Sequence, residues 1–371
     1  MNLGLFAMPL HPPGSNLSET LRHDLNQIIK LDELGYKEAW IGEHFTGEWE
    51  NIPAPDLFIA HALGKTENIV LGTGVSCLPN HNPFVLAHRI AQLDQMAEGR
   101  FQWGIGAGGF PGDLTAFGYG DDRNNIQGRD NRKMAQEAIK AILEIWDNPE
   151  PGVRKNEFWE YYIPDPDPDI SLRVHVKPFQ LPHPPIGVAG VSESSRTIAL
   201  AGEKGWIPLS INLVPTRILE SHWEAISEGA QKGNLVPDRS KWRIARDIFV
   251  ADTDEEAITE ATKGVLARDF NGYIHPLLKK TNMFGAAKVD PNISDEEVTV
   301  EYMIENIWLV GDPETVAEKI VKIYKDVGGF GYLLAMAHDW DPWDKWEKSF
   351  NILINEVIPI VNKELNNFIE N

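Results

Sequence analysis

The sequence is short of thiols and of positive charge. Its 371 residues include one cysteine, Cys77, so neither an intrachain disulfide nor a thiolate metal cluster can form. A chain with one thiol suits a reducing cytoplasm, and that is the expected location. Lysine and arginine number 34 against 55 aspartate and glutamate, a formal charge of −21. No long basic run is present, and without a basic surface no nucleic-acid partner is expected. Long apolar runs are missing as well. No stretch approaches the ~18 uninterrupted apolar residues of a membrane helix. The opening Met1-Asn2-Leu3-Gly4-Leu5-Phe6 lacks the pattern of a signal peptide, so no membrane association is expected. There is no His-x-His after the first apolar run, no His-Glu-x-x-His and no Gly-x-Ser-x-Gly, which argues against metal and serine hydrolases. No metal ligands are assigned.

What is present is a globular composition, 42% hydrophobic and 24% charged. The length suits one large α/β barrel or two ordinary domains. Short apolar runs alternate with helically spaced segments. Strands are expected at 3–8, 36–42, 69–75, 101–107, 186–189, 206–209, 242–251 and 332–336. Helices are expected at 18–34, with Ser18 as its cap, and at 55–65, 83–97, 125–146, 194–201, 215–229, 253–270, 301–309 and 312–325, with a last one from Trp343 onward. Two stretches break the rhythm. Residues 147–185 hold Asp165-Pro166-Asp167-Pro168-Asp169 and Pro182-His183-Pro184-Pro185, a loop excursion by composition. Residues 271–300 read as an irregular insertion between strands seven and eight. Eight strands, most followed by a helix, point to a single (β/α)8 TIM barrel over 1–371. An open doubly wound sheet would carry a Gly-rich loop after its first strand, where this chain has His11-Pro12-Pro13-Gly14.

Barrel sites form where strands end and helices begin. His44 directly follows strand two; it is either a surface-loop histidine or a functional one, since an imidazole can carry a proton near neutral pH. Cys77 lies past strand three, followed by Asn80, His81 and Asn82; the latter two either cap the next helix or face the pocket. Gly104-Ile105-Gly106-Ala107-Gly108-Gly109 ends strand four and would let the backbone approach a ligand, or simply turn. Arg129 and Arg132 near the next helix either reach an anion or are ordinary exposed helix arginines. Gly190, Val191, Ser192, Ser194, Ser195 and Arg196 follow strand five, where free amides and hydroxyls either make a phosphate site or form an ordinary serine cap. Phe6, Trp40, Trp49 and Trp103 stand near strand ends and could line an apolar cavity.

The stretch Ala39-Trp40-Ile41-Gly42-Glu43-His44-Phe45 resembles the second-strand motif of the bacterial luciferase-like flavin monooxygenases. Leu71-Gly72-Thr73-Gly74, Gln92-Leu93-Asp94-Gln95-Met96 with Gly99-Arg100-Phe101, and Gly311-Asp312-Pro313-Glu314-Thr315 resemble further motifs of that family, in barrel order. Trp49-Glu50-Asn51-Ile52-Pro53-Ala54-Pro55 and His183-Pro184-Pro185-Ile186-Gly187-Val188 look like the branch that oxidises limonene and cyclic terpenoid ketones.

The resemblance implies reduced FMN supplied by a separate NAD(P)H:flavin reductase, O2 as co-substrate, and insertion of one oxygen atom into an apolar substrate. It implies a homodimer and a catalytic histidine at His44, which would support oxygen activation and move a proton. Gly74 and Val75 would flank an unusual peptide behind the flavin ring, with Ser192–Arg196 at the phosphate. Phe6, Trp40, Trp49, Asn80 and Trp103 would line the substrate pocket. Luciferase itself carries an arginine after strand four. This chain has Gly106-Ala107-Gly108 there, so Arg129, Arg132 or Arg196 would take over that contact. The alternatives are a long-chain aldehyde monooxygenase, a deazaflavin-dependent oxidoreductase or a noncatalytic flavin-binding protein.

Overall fold

The computed structural model describes residues 1–118, 130–147 and 149–369. In chain order its elements are β1 (Asn2–Ala7), α1 (Leu17–Leu34), β2 (Glu38–Ile41), α2 (Pro55–Leu63), β3 (Val70–Cys77), α3 (Pro83–Ala97), β4 (Phe101–Gly106), α4 (Pro111–Phe117) and α5 (Asn131–Asp147). A hairpin of β5 (Gly152–Lys155) and β6 (Glu160–Ile163) follows. Next come β7 (Ile186–Gly190), α6 (Arg196–Lys204), β8 (Ile207–Ser210), α7 (Thr216–Lys232), β9 (Arg243–Arg246) and β10 (Ile248–Val250). The chain continues through α8 (Asp254–Lys263), α9 (Val265–Asp269), a π-helical turn over Phe270–Ile274, α10 (His275–Thr281) and α11 (Val300–Asn306). It closes with β11 (Leu309–Gly311), α12 (Pro313–Asp326), β12 (Tyr332–Met336), α13 (Trp343–Ile352) and α14 (Ile358–Ile369).

Eight strands close a parallel barrel in the order β1-β12-β9-β8-β7-β4-β3-β2. The helices lie outside it, and their apolar faces form one continuous core with the outward-facing strand residues. Inside the barrel, Phe6, Trp40, Ile207, Leu209, Ala245 and Leu334 pack on one another. Trp40 occupies the barrel interior, and glycines make room for it. A Cβ at Gly72 or Gly187 would stand 2.8 Å from its ring atoms, closer than carbon atoms approach.

The interior also holds a buried polar group. Arg243 lies bidentate on Glu38 at 3.0 and 2.8 Å. The same carboxylate accepts the Trp40 indole N–H at 2.7 Å and the Gln102 amide at 3.2 Å. Arg243 also sits over the Tyr332 ring, 3.9 Å from its centroid. Each charge is thereby hydrogen-bonded, which is the condition for tolerating it out of water.

Several expected boundaries move. Asn16, not Ser18, caps α1 by accepting from the Ser18 and Glu19 amides at 3.0 and 3.3 Å. The apolar run 242–251 is not one strand. It breaks at Asp247 into β9, which stays in the barrel, and β10, which pairs with β11 outside it. Residues 147–185 carry the β5–β6 hairpin, and the stretch 271–300 begins in a π turn and α10. Part of the helix expected at 125–146 lies outside the described residues; the described part is α5. Among the described residues no helix is long and apolar enough to cross a membrane.

Candidate active site

His44 leaves the end of β2 at the barrel mouth. The loop that carries it is tied to the loop after β1, because Leu10 and Glu50 form an antiparallel bridge and the His11 amide donates to the Trp49 carbonyl at 2.9 Å. This fold-back brings Glu50 onto His44, with Nε2 and Glu50 Oε2 3.2 Å apart. From the other side α4 presents Asp113, whose Oδ2 is 3.6 Å from His44 Nδ1. Asp113 is itself held by the Phe45 amide at 3.2 Å, the Thr46 amide at 2.9 Å and the Thr46 hydroxyl at 2.6 Å. Phe110 covers the imidazole edge-on, with centroids 4.7 Å apart.

Burial alone would pull the His44 pKa down. The carboxylates of Glu50, Asp113 and Glu43 outweigh it and hold the value above the ordinary one. For Asp113, burial pushes the other way, but the nearby His44 ring and hydrogen bonds from Thr46 and Phe45 keep its carboxyl below the usual range. The imidazole is clamped between two carboxylates, which favour its protonated form. Its Nδ1 and Glu50 Oε2 are enclosed without a well-aligned hydrogen bond among the described residues.

The neighbouring strand end supplies a wall. The Gly74–Val75 peptide is cis, and the β3–β4 register shifts there between Thr73 and Ser76. A Cβ on Gly74 would stand 2.9 Å from Trp40 Cβ and 3.3 Å from Phe6, so the backbone lies directly on the barrel filling. Val75 is half-buried. Asn80 is half-buried, and Asn82 caps α3 by accepting from the Phe84 and Val85 amides, which settles its role. His81 instead donates to the buried Glu43 carboxylate at 3.0 Å. Cys77 is buried, and burial raises its thiol pKa well above the ordinary value, so it is no nucleophile.

The loop after β7 forms the third part. Ser195 caps α6 through the Ile198 amide at 3.4 Å, and Ser192, Ser194 and Arg196 are exposed, with Val191 half-buried. Gly190 packs on Ile198 and Ser195. This loop is fixed from behind by α7. His222 Nε2 donates to the Ser192 carbonyl at 2.9 Å, its Nδ1 accepts from Ser210 Oγ at 2.8 Å, and Ser221 Oγ accepts from the Ser194 amide at 3.2 Å. Burial lowers the His222 pKa, which suits the neutral tautomer these bonds require. Arg132 is exposed in the first turn of α5. Its neighbour Asn131 ties that turn to the strand-four loop by donating to the Ala107 and Gly108 carbonyls at 3.0 and 2.8 Å. Arg129 lies outside the described residues.

Two expected pocket residues are elsewhere. Trp103 points outward, edge-on to Trp146 at 5.1 Å, and its indole donates to Ser76. Trp40 is barrel filling. Both are 0% exposed, so neither lines an open cavity. They stood near strand ends in sequence, but strand alternation turned one outward and the glycines drew the other into the axis. Phe6 is buried beside Trp40, under Gly74. Trp49 is half-buried and stacks on Tyr273, with centroids 5.8 Å apart and planes at 21°. Sequence reasoning missed Glu50, Asp113, Tyr273 and His222. The first three meet His44 or its partners only through tertiary contacts, and no local spacing marks them.

The luciferase-like monooxygenase family model matches residues 1–329. The chain is 32% identical to 3,6-diketocamphane 1,6-monooxygenase of Pseudomonas putida, over 97% of this chain and 98% of that one. It is 28% identical to limonene 1,2-monooxygenase of Rhodococcus erythropolis, over 98% of this chain and 88% of the relative. The solved oxygenating constituent of 3,6-diketocamphane monooxygenase from the Pseudomonas putida CAM plasmid, a type II Baeyer-Villiger monooxygenase in complex with FMN, superposes with a TM-score of 0.90. The superposition covers 97% of this chain and 98% of that one.

Proposed function

This chain belongs to the luciferase-like monooxygenase family, flavin-dependent two-component enzymes that act on apolar substrates with reduced flavin and O2, and on that premise we propose that it oxidises a compact cyclic ketone of terpenoid type. One oxygen atom enters beside the carbonyl to give a lactone. Reduced FMN arrives from a separate NAD(P)H:flavin reductase. The setting is a reducing cytoplasm, with which the one buried thiol agrees. Apolar Leu57, Val85 and Met96 stand exposed on α2 and α3, which supports a homodimer through that face.

The observation that carries this reading is His44 at the barrel mouth, clamped by Glu50 and Asp113 next to the β3 wall. The residues present suit a flavin. The Gly74–Val75 backbone, seated on Trp40 and Phe6, offers a flat side for the ring. The Ser192–Arg196 start of α6 offers hydroxyls, first-turn amides and a guanidinium for the phosphate. Bound reduced FMN supplies two electrons to O2, so that one oxygen atom enters the substrate and the other leaves as water.

The protein's own work is placement and proton control. His44 presents a donor from a buried setting where charge–dipole interactions are strong. Phe110 and Phe6 keep the neighbourhood apolar. Asp113 and Glu50 keep the proton on the ring until a reacting oxygen takes it up. His44→Ala should lower the rate of oxygen transfer by about 10²–10⁴-fold. FMN binding, read by equilibrium dialysis, should change far less. Normal turnover in that variant would sink the role given to His44.

A further inference from the structure

Glu50 is a puzzle as a purely structural residue. Its backbone makes the bridge to Leu10, which any residue could supply. Its carboxylate is nevertheless taken out of water, and among the described residues it has two polar neighbours, the His44 ring and the Tyr273 hydroxyl, which donates to Oε1 at 2.5 Å. A buried carboxylate with so few partners is costly unless its charge is used.

Tyr273 is in turn a fixed donor. Its ring is stacked on Trp49, and the glycine before it is required there, because a Cβ on Gly272 would stand 2.9 Å from the Trp49 indole. The π turn that carries Tyr273 follows α9, and Asp269 at the end of α9 is anchored to the barrel by His338 at 2.8 Å. An uninterrupted series of contacts therefore runs from β12 through the excursion to the mouth.

We propose that Glu50 is the positioning residue of this site: locked by the Tyr273 hydroxyl, it orients the His44 ring through Nε2 and holds its proton, leaving Nδ1 as the edge that faces Asp113. This rests on the assignment of His44 above and adds a residue of the helical excursion to the working site. Burial holds the Glu50 pKa above the ordinary carboxylate value, and the His44 ring and the Tyr273 hydroxyl pull against that push.

Among the described residues, the charged and titratable groups around His44 are Glu43 and Glu50 from its own loop, Asp113 from α4 and Tyr273 from the excursion. His81 from the β3–α3 connection is hydrogen-bonded to Glu43 at 3.0 Å. Among the described residues, Glu50 is the one carboxylate in direct contact with Nε2.

The test is a histidine-ring NMR titration of the full-length, flavin-free protein, with the His44 signal identified by its loss in His44→Gln. The wild-type midpoint should lie above the ordinary ~6.5. It should fall by about one pH unit or more in Glu50→Gln, and by less, in the same direction, in Tyr273→Phe. The alkaline limb of kcat should move with the midpoint. An unmoved midpoint in folded Glu50→Gln overturns the proposal, and if that variant does not fold, an unmoved midpoint in Tyr273→Phe does so. A midpoint that moves while His44→Ala turns over normally upholds the pairing and overturns only the catalytic reading of His44.

Discussion

Glu38 carries two oxygens and serves four donors from three side chains in the barrel interior, those of Trp40, Gln102 and Arg243. Glu38→Ala would strand the Arg243 guanidinium among apolar side chains. The expected cost is about 3–5 kcal/mol, the usual penalty for breaking a buried pair from one side, read from denaturant unfolding. A loss below about 1 kcal/mol would mean that water reaches Arg243. At the mouth, Ser195→Ala removes the cap of α6. It should cost about 1 kcal/mol in stability and weaken FMN binding, while an unchanged dissociation constant would place the phosphate elsewhere. At this scale the sequence was only partly legible. His44 stands out because it directly follows an apolar strand. Asp113 and Tyr273 lie 69 and 229 positions beyond it, and nothing in their local patterns announces a partner. Trp40 and Trp103 looked alike until the barrel assigned each side chain a face.

The element that ties the excursion to the barrel is a pH-sensitive latch. His338, just past β12, donates to Asp269 at 2.8 Å and to Asp247 at 2.9 Å, so both ring nitrogens are donors and the imidazole is charged. Burial alone would lower its pKa, but the two carboxylates push it up to about 9. A group whose pKa is raised on folding contributes stability that is complete below its unfolded value of ~6.5 and is lost as pH rises through the folded one. The urea midpoint of the wild type should therefore fall between pH 6.5 and pH 9.5 by more than that of His338→Gln. Parallel profiles would contradict the latch. Capped helices such as α3 were legible in sequence because Asn82-Pro83 starts it and the apolar spacing is regular. The run 242–251 was not, since its apolar side chains continue unbroken through a change from barrel strand to outer strand. The β5–β6 hairpin hid in a Pro- and Asp-rich segment whose composition reads as loop, and α4 was too short to show a period.

For the whole molecule, the closed barrel positions every part of the site, because the ends of β2, β3 and β7 meet at one mouth. That convergence was readable from the alternation of elements, and the family from motifs spread along the chain in barrel order. The acidic average, −21 over 371 residues, is set against a local exception at Arg196 and the amides that start α6. The most direct measurement supplies reduced FMN, 18O2 and a bicyclic terpenoid ketone to the purified protein and reads the product by mass spectrometry. One 18O per lactone is predicted, with none incorporated from labelled water and none formed without reduced flavin. Product oxygen drawn from water, or turnover that persists without flavin, would contradict the account.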